Sequence, residues 1–121
     1  MPVAIECIYR PGGAEERFTI RDVHLEYVIA NRHKILAGGP LHIGETTAGM
    51  YLLLTTGDLE EAQAFSAIEP YTKAGLFAEV RFTVVEGFIP EPREGFLQDL
   101  LVAARLLSAR LRTTTYAHQP E

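Results

Sequence analysis

One cysteine is present among 121 residues, and eleven Lys and Arg are outnumbered by sixteen Asp and Glu. The lone Cys7 excludes an internal disulfide and fits a reducing, cytoplasmic setting. Its neighbours alternate apolar and polar, and no basic residue stands beside it to activate the thiol. It reads as a small packing residue or an outward thiol. A net charge of -5, with no strongly basic stretch, excludes a nucleic-acid footprint and disfavours docking on anionic lipid. No apolar run is long enough for a membrane span, because GFLQDLLVAARLLSARL is broken by Asp99 and Arg105. The opening MPVAIECIYRPGG carries Glu6 inside its apolar stretch and is not expected to be a signal peptide. His24, His33, His42 and His118 lack metal-ligand spacing, and no Lys-Ser/Thr follows Gly38-Gly39 as a phosphate loop would require. Ser66 and Ser108 have no histidine nearby in sequence. The expectation is therefore no metal and no cofactor.

What is there is ordinary globular composition, 47% hydrophobic and 22% charged, enough for one domain with one core. PVAIECIYR alternates, with Val3, Ile5, Cys7 and Tyr9 on one face and Ala4, Glu6 and Ile8 on the other. That is a strand, closed by Pro11-Gly12-Gly13. Residues 14–18 read as a polar connector. Thr19 is placed to cap a helix running to about Arg32, with Ile20, Val23, Tyr27 and Asn31 on one stripe and Leu25, Val28 and Ile29 widening it. His24 falls on the border of that face. KILAGGPLHI is a strand interrupted by Gly38-Gly39-Pro40, a composition suited to a bulge or a close approach to the backbone. AGMYLLLTT follows as a third strand. Asp58, with Glu61 three residues on, forms a capping box for a second helix whose inner face is Leu59, Ala62, Phe65 and Ser66. Pro70 ends that helix near Glu69. LFAEVRFTVVEGF is the last strand.

The order strand, helix, strand, strand, helix, strand predicts an α+β fold: a ferredoxin-like βαββαβ unit with a four-stranded antiparallel sheet and two helices on one face. Apolar residues on both sides of the sheet predict a second cover, most simply a homodimer or higher homo-oligomer packing sheet on sheet. The domain is expected to span residues 1–89. A linker, PEPREG, then leads to an amphipathic C-terminal helix over residues 96–112 and a frayed tail. Leu97, Leu100, Leu101, Ala104, Leu107 and Leu111 make its apolar stripe.

Several short pieces, in order and at consistent spacing, resemble the YCII-related family of the dimeric α+β barrel superfamily. They are Arg21-x-x-His24-Leu25, Leu36-Ala37-Gly38-Gly39-Pro40-Leu41, Ala48-Gly49, Glu60-Glu61-Ala62, Glu69-Pro70-Tyr71 and Ala74-Gly75-Leu76. The resemblance implies that His24 and the residue before the Pro-aromatic pair act as acid and base. The family's aspartate is Glu69 here, one methylene longer. Relatives in the wider superfamily, muconolactone isomerases and a dehydrochlorinase, move protons on small cyclic acids or phenols without a cofactor.

Each residue also has a plainer reading. A free imidazole can carry a proton either way near cellular pH, yet a helix-border histidine such as His24 is commonly a satisfied core residue. Glu69, read as the C-terminus of the second helix, would face the negative end of a dipole and have a raised pKa, or would be an exposed residue before a proline. Arg21 holds an anionic substrate or is a solvated surface charge. Gly39 and Pro40 line a pocket or form a bulge, and Tyr27 and Tyr71 wall that pocket or lie in the core. Taken together, these residues point to a small cytoplasmic enzyme of lyase or isomerase type. His24 and Glu69 would be catalytic, and Arg21, Tyr27, Gly39, Pro40 and Tyr71 would bind a small anionic, cyclic or enolisable substrate. The rival is a non-catalytic dimeric module that binds a small ligand or a partner. A monooxygenase on the same barrel has only the shared fold behind it.

Overall fold

The computed structural model describes residues 1–117, so of the expected tail His118 and the three residues after it lie outside the described residues. Two units result, Met1–Glu86 and the segment from Gly87 on. The first contains β1 (Val3–Tyr9), α1 (Gly13–Glu16), α2 (Arg21–Ala30), β2 (Ile35–Ile43), β3 (Thr46–Leu54), α3 (Leu59–Ala67), α4 (Pro70–Lys73) and β4 (Phe77–Val84). Short 3-10 turns, Arg17–Thr19 and Arg32–Lys34, flank α2. The second unit holds α5 (Phe96–Ala117).

The strands form one antiparallel sheet in the order β2-β3-β1-β4, the split β-α-β arrangement of a ferredoxin-like α+β fold. Strand alternation decides the faces. Val3, Ile5 and Cys7 of β1 are buried, and the register sets Leu52 and Met50 of β3 beside Ile5 and Cys7, with Phe82 and Val80 of β4 on the other side. Ala62, Phe65 and Ser66 of α3 are buried, and Ile20 and Tyr27 pack against the core. Each fully buried large apolar side chain contributes about 1.5–3 kcal/mol, so this one face accounts for most of the driving force. Gly49 is required where β3 passes β1, since a Cβ there would lie 2.0 Å from the Cys7 carbonyl oxygen. Cys7 is thus a packing residue, not an outward thiol.

Several expectations are corrected. Residues 14–18 are not an irregular connector but belong to α1 and the 3-10 turn after it. Thr19 does not cap α2. Its hydroxyl donates to the Glu16 carbonyl, and Ile20 precedes the helix. The inward stripe of α2 is Ile20, His24 and Tyr27, all part-buried, whereas Val23, Leu25 and Ile29 are exposed. The strand is not interrupted at Gly38-Gly39-Pro40; β2 runs through it, and its register shifts lie on either side, between Ile35 and Ala37 and between Leu41 and His42. Pro40 is tolerated because β2 is an edge strand that needs no donor there. Asp58 caps α3 by accepting from the Glu60 amide, but Glu61 accepts from the Thr56 hydroxyl instead of closing a box. Leu59, assigned to the inner face, is exposed. The sheet face away from the core is mixed rather than apolar: Ala4, Ile8, Tyr51 and Leu53 share it with Glu6 and Arg81.

In the second unit α5 begins after Gly95, and the Glu91 carboxylate accepts from the Leu97 amide, one of the donors a helix start leaves unpaired. Arg93 pairs with Asp99, and the Phe88 ring meets Phe96 edge-on at 5.0 Å. The helix does not fray after Arg112 but continues to Ala117. Among the described residues no helix is long and apolar enough to cross a membrane.

Candidate active site

The sequence Glu69-Pro70 does more than stop α3. Ile68 closes that helix, and Glu69 takes an extended conformation (φ -65°, ψ 132°), as a residue before proline prefers. Pro70 then opens α4 at its first position, where its missing N–H costs nothing. Glu69 is the N-cap of α4: its Oε2 accepts from the Thr72 amide at 3.1 Å and the Thr72 hydroxyl at 3.3 Å. The expectation of a carboxylate facing the negative end of α3 is overturned. Glu69 faces amide donors, and it is 1% exposed.

The other carboxylate oxygen, Oε1, is hydrogen-bonded to Nδ1 of His24. A carboxylate only accepts, so Nδ1 carries the proton and donates. The imidazole lies flat on the Tyr71 ring, 3.9 Å between centroids and 5° from parallel. Tyr71 is held in turn by edge contacts with Tyr9 and Phe77, both at 6.3 Å. The ring of His24 is therefore fixed on one side by a hydrogen bond and on one face by stacking. Its Nε2 has no hydrogen-bond partner among the described residues, and the side chain is 12% exposed.

That exposure opens on a cleft of about 340 Å³. Arg17, Arg21, His24, Gly38, Gly39, Pro40, Tyr51 and Tyr71 are among the residues lining it. Arg21 has no ion-pair partner among the described residues, and the Arg17 guanidinium sits over the Phe18 ring at 4.3 Å from its centroid. Burial pushes the Tyr71 hydroxyl pKa up; Arg17 and Arg21 nearby pull it back, and Glu69 adds to the rise. Tyr9, at the same wall, is raised to about 12, chiefly by burial. Cys7, behind the site, is also raised to about 12, by burial first and then by the Glu69 charge. It is no nucleophile.

The structure thus brings His24, Glu69, Arg21, Gly39, Pro40 and Tyr71 to one place and leaves Tyr27 out. The Tyr27 hydroxyl donates to the Phe65 carbonyl at 2.7 Å, and its ring borders a separate cavity of about 230 Å³ with Asn31, Lys34 and Glu61. Helix spacing puts Tyr27 near His24 but cannot say that the cleft runs along Arg21, Leu25 and Val28, on the other flank of α2. Arg17 and Tyr9 were missed. The four-residue step from Arg17 to Arg21 was a signal, obscured by reading residues 14–18 as a connector.

The sequence profile of the YCII-related domain matches residues 1–86. A solved structure of 5-chloro-2-hydroxyhydroquinone dehydrochlorinase (TftG) from Burkholderia phenoliruptrix AC1100, in complex with 2,5-dihydroxybenzoquinone, superposes with a TM-score of 0.66 at 27% identity. The superposition covers 75% of this chain and 99% of that one. No curated protein matches the chain in sequence.

Proposed function

The chain belongs to the YCII-related family, and on that premise we propose that it is a cofactor-independent enzyme of lyase or isomerase type acting on a small anionic, hydroxylated or enolisable ring. The observation that carries the reading is a buried carboxylate bonded to one nitrogen of a stacked histidine whose other nitrogen has no partner beside a cleft. In this reading His24 Nε2 takes a proton from an acidic ring hydroxyl or an activated C–H. Glu69 keeps the proton on Nδ1 and stabilises the imidazolium that forms. The released electron pair moves into the ring. It then either expels a leaving anion or is quenched when His24 returns the proton at another carbon. Arg17 and Arg21 would hold the negative charge of the substrate at the cleft. The reaction for which the structural relative is named, dehydrochlorination of 5-chloro-2-hydroxyhydroquinone, belongs to the same class. The mixed sheet face away from the core is the surface through which we expect two copies to pair.

The test is turnover of a panel of hydroxylated and chlorinated hydroquinones and small cyclic acids by the wild type and by His24→Gln and Glu69→Gln. Turnover lost in both variants with the fold retained supports the reading. A ligand that binds beside His24 without ever being converted would make the protein a binding module.

A further inference from the structure

Helix α5 has 22 residues, about 33 Å at 1.5 Å per residue. Leu97, Leu100, Ala104, Leu107, Leu111 and Thr114 succeed one another at alternating steps of three and four, the 3.5-residue period of a two-helix seam. Leu97, Leu100 and Leu107 are 38%, 37% and 54% exposed. The charges flanking the seam are divided by sign along the axis. Glu91, Glu94 and Asp99, against the single Arg93, stand at the N-terminal end. From Leu100 to Ala117 the only charges are Arg105, Arg110 and Arg112.

We infer that α5 pairs antiparallel with α5 of a second copy of this chain. The orientation follows from the charges. A parallel pair would set three arginines beside three arginines and align two helix dipoles. An antiparallel pair lays Asp99 level with the other copy's Arg112 and opposes the dipoles. The register follows from the seam. With Leu100 facing the partner's Leu111, Ala104 faces the partner's Leu107 and Leu97 faces the partner's Thr114, so a small residue meets a large one at the centre on both sides of the two-fold. The match is self-complementary, as a symmetric contact requires, and of the three arginines only Arg105 comes level with its own copy, at the two-fold. Two and a half heptads make a short seam, so the pairing depends on protein concentration.

Disulfide trapping in the full-length protein tests this. Cys7 is buried, so an introduced thiol is the only exposed one. Leu97→Cys and Thr114→Cys proteins, one carrying a mass tag, are mixed, exchanged and oxidised. The antiparallel register gives the mixed dimer and neither like dimer, because two copies of position 97 lie roughly 25 Å apart along the axis. Like dimers at 97 and at 114 would show a parallel pair, and absence of every dimer would show that the seam is covered by something else. Either result overturns the inference. Adding salt should reduce the yield of the mixed dimer if opposed charges set the orientation.

Discussion

Glu69 divides its two carboxylate oxygens between two jobs: Oε1 bonds the His24 imidazole, and Oε2 caps α4 through Thr72. The residue that orients the proposed base is therefore also the one that starts the helix carrying Tyr71, on whose ring the base is stacked.

Replacing the acid and the base should have separable effects. Glu69→Gln keeps an oxygen for Thr72 but removes the negative partner of the imidazolium. Turnover should fall by about 10²-fold or more, the low end of general acid–base effects, with little change in melting temperature. His24→Gln should abolish turnover and leave the far-UV circular dichroism unchanged. If His24→Gln lowers the melting temperature strongly and spares turnover, His24 is a core residue and the dyad is not catalytic.

Arg21 is exposed and has no ion-pair partner among the described residues, so Arg21→Ala should cost little stability. It should raise KM for an anionic substrate roughly 10-fold, the loss of one charge-assisted hydrogen bond. Added salt should weaken the wild type's substrate binding more than the variant's. An unchanged KM would remove Arg21 from the site.

Alkaline pH should unfold the protein through the buried Cys7 thiol and the part-buried Tyr9 hydroxyl. Cys7 and Tyr9 ionise near 9 and 10 when unfolded but near 12 when folded. Both folded values are raised, so the stability they contribute is fully present below about pH 9 and is lost as pH rises towards 12. Each group that stays neutral in the folded state while ionised in the unfolded one costs about 1.4 kcal/mol per pH unit. Urea midpoints should therefore fall steeply across that window, and Cys7→Ala should shallow the fall. A flat midpoint from pH 9 to 11 would contradict the burial of both groups.

The sheet face away from the core should pair two copies. Sedimentation of the wild type at low micromolar concentration should give a dimer, and Leu53→Glu, which sets a carboxylate in the middle of Ala4, Ile8 and Tyr51, should shift it towards monomer. A stable wild-type monomer would count against this assembly.

The fold was legible because its signals are local and periodic. β1 alternates, and Val3, Ile5 and Cys7 are buried as assigned, whereas Tyr9, past a register shift, is only part-buried. Asp58 announced the start of α3, but α2 could be located and not bounded, because its first turn has no side-chain cap: Ile20, not Thr19, precedes it. Pro70 misled for a physical reason. The same ring that stops one helix is favoured at the first position of the next, and sequence alone does not say which use applies. The meeting of His24 with Glu69, 45 residues away, is a tertiary fact that no spacing encodes; it was expected only through family resemblance. Arg17 went unseen because a short polar stretch gives no periodicity from which to read a direction.

Cys7 lies 1% exposed in the central pair of strands, its pKa raised and Gly49 pressed against its carbonyl. Only a thiolate reaches a labelling reagent, so in the native protein this sulfur is silent. It answers when β1 separates from its neighbours, and then at the rate of that opening or in proportion to its population. The one cysteine of the chain thereby serves as a clock for the innermost hydrogen bonds of the sheet. An alkylating reagent added to the unmodified protein would time how often the core comes apart, with no probe engineered into it.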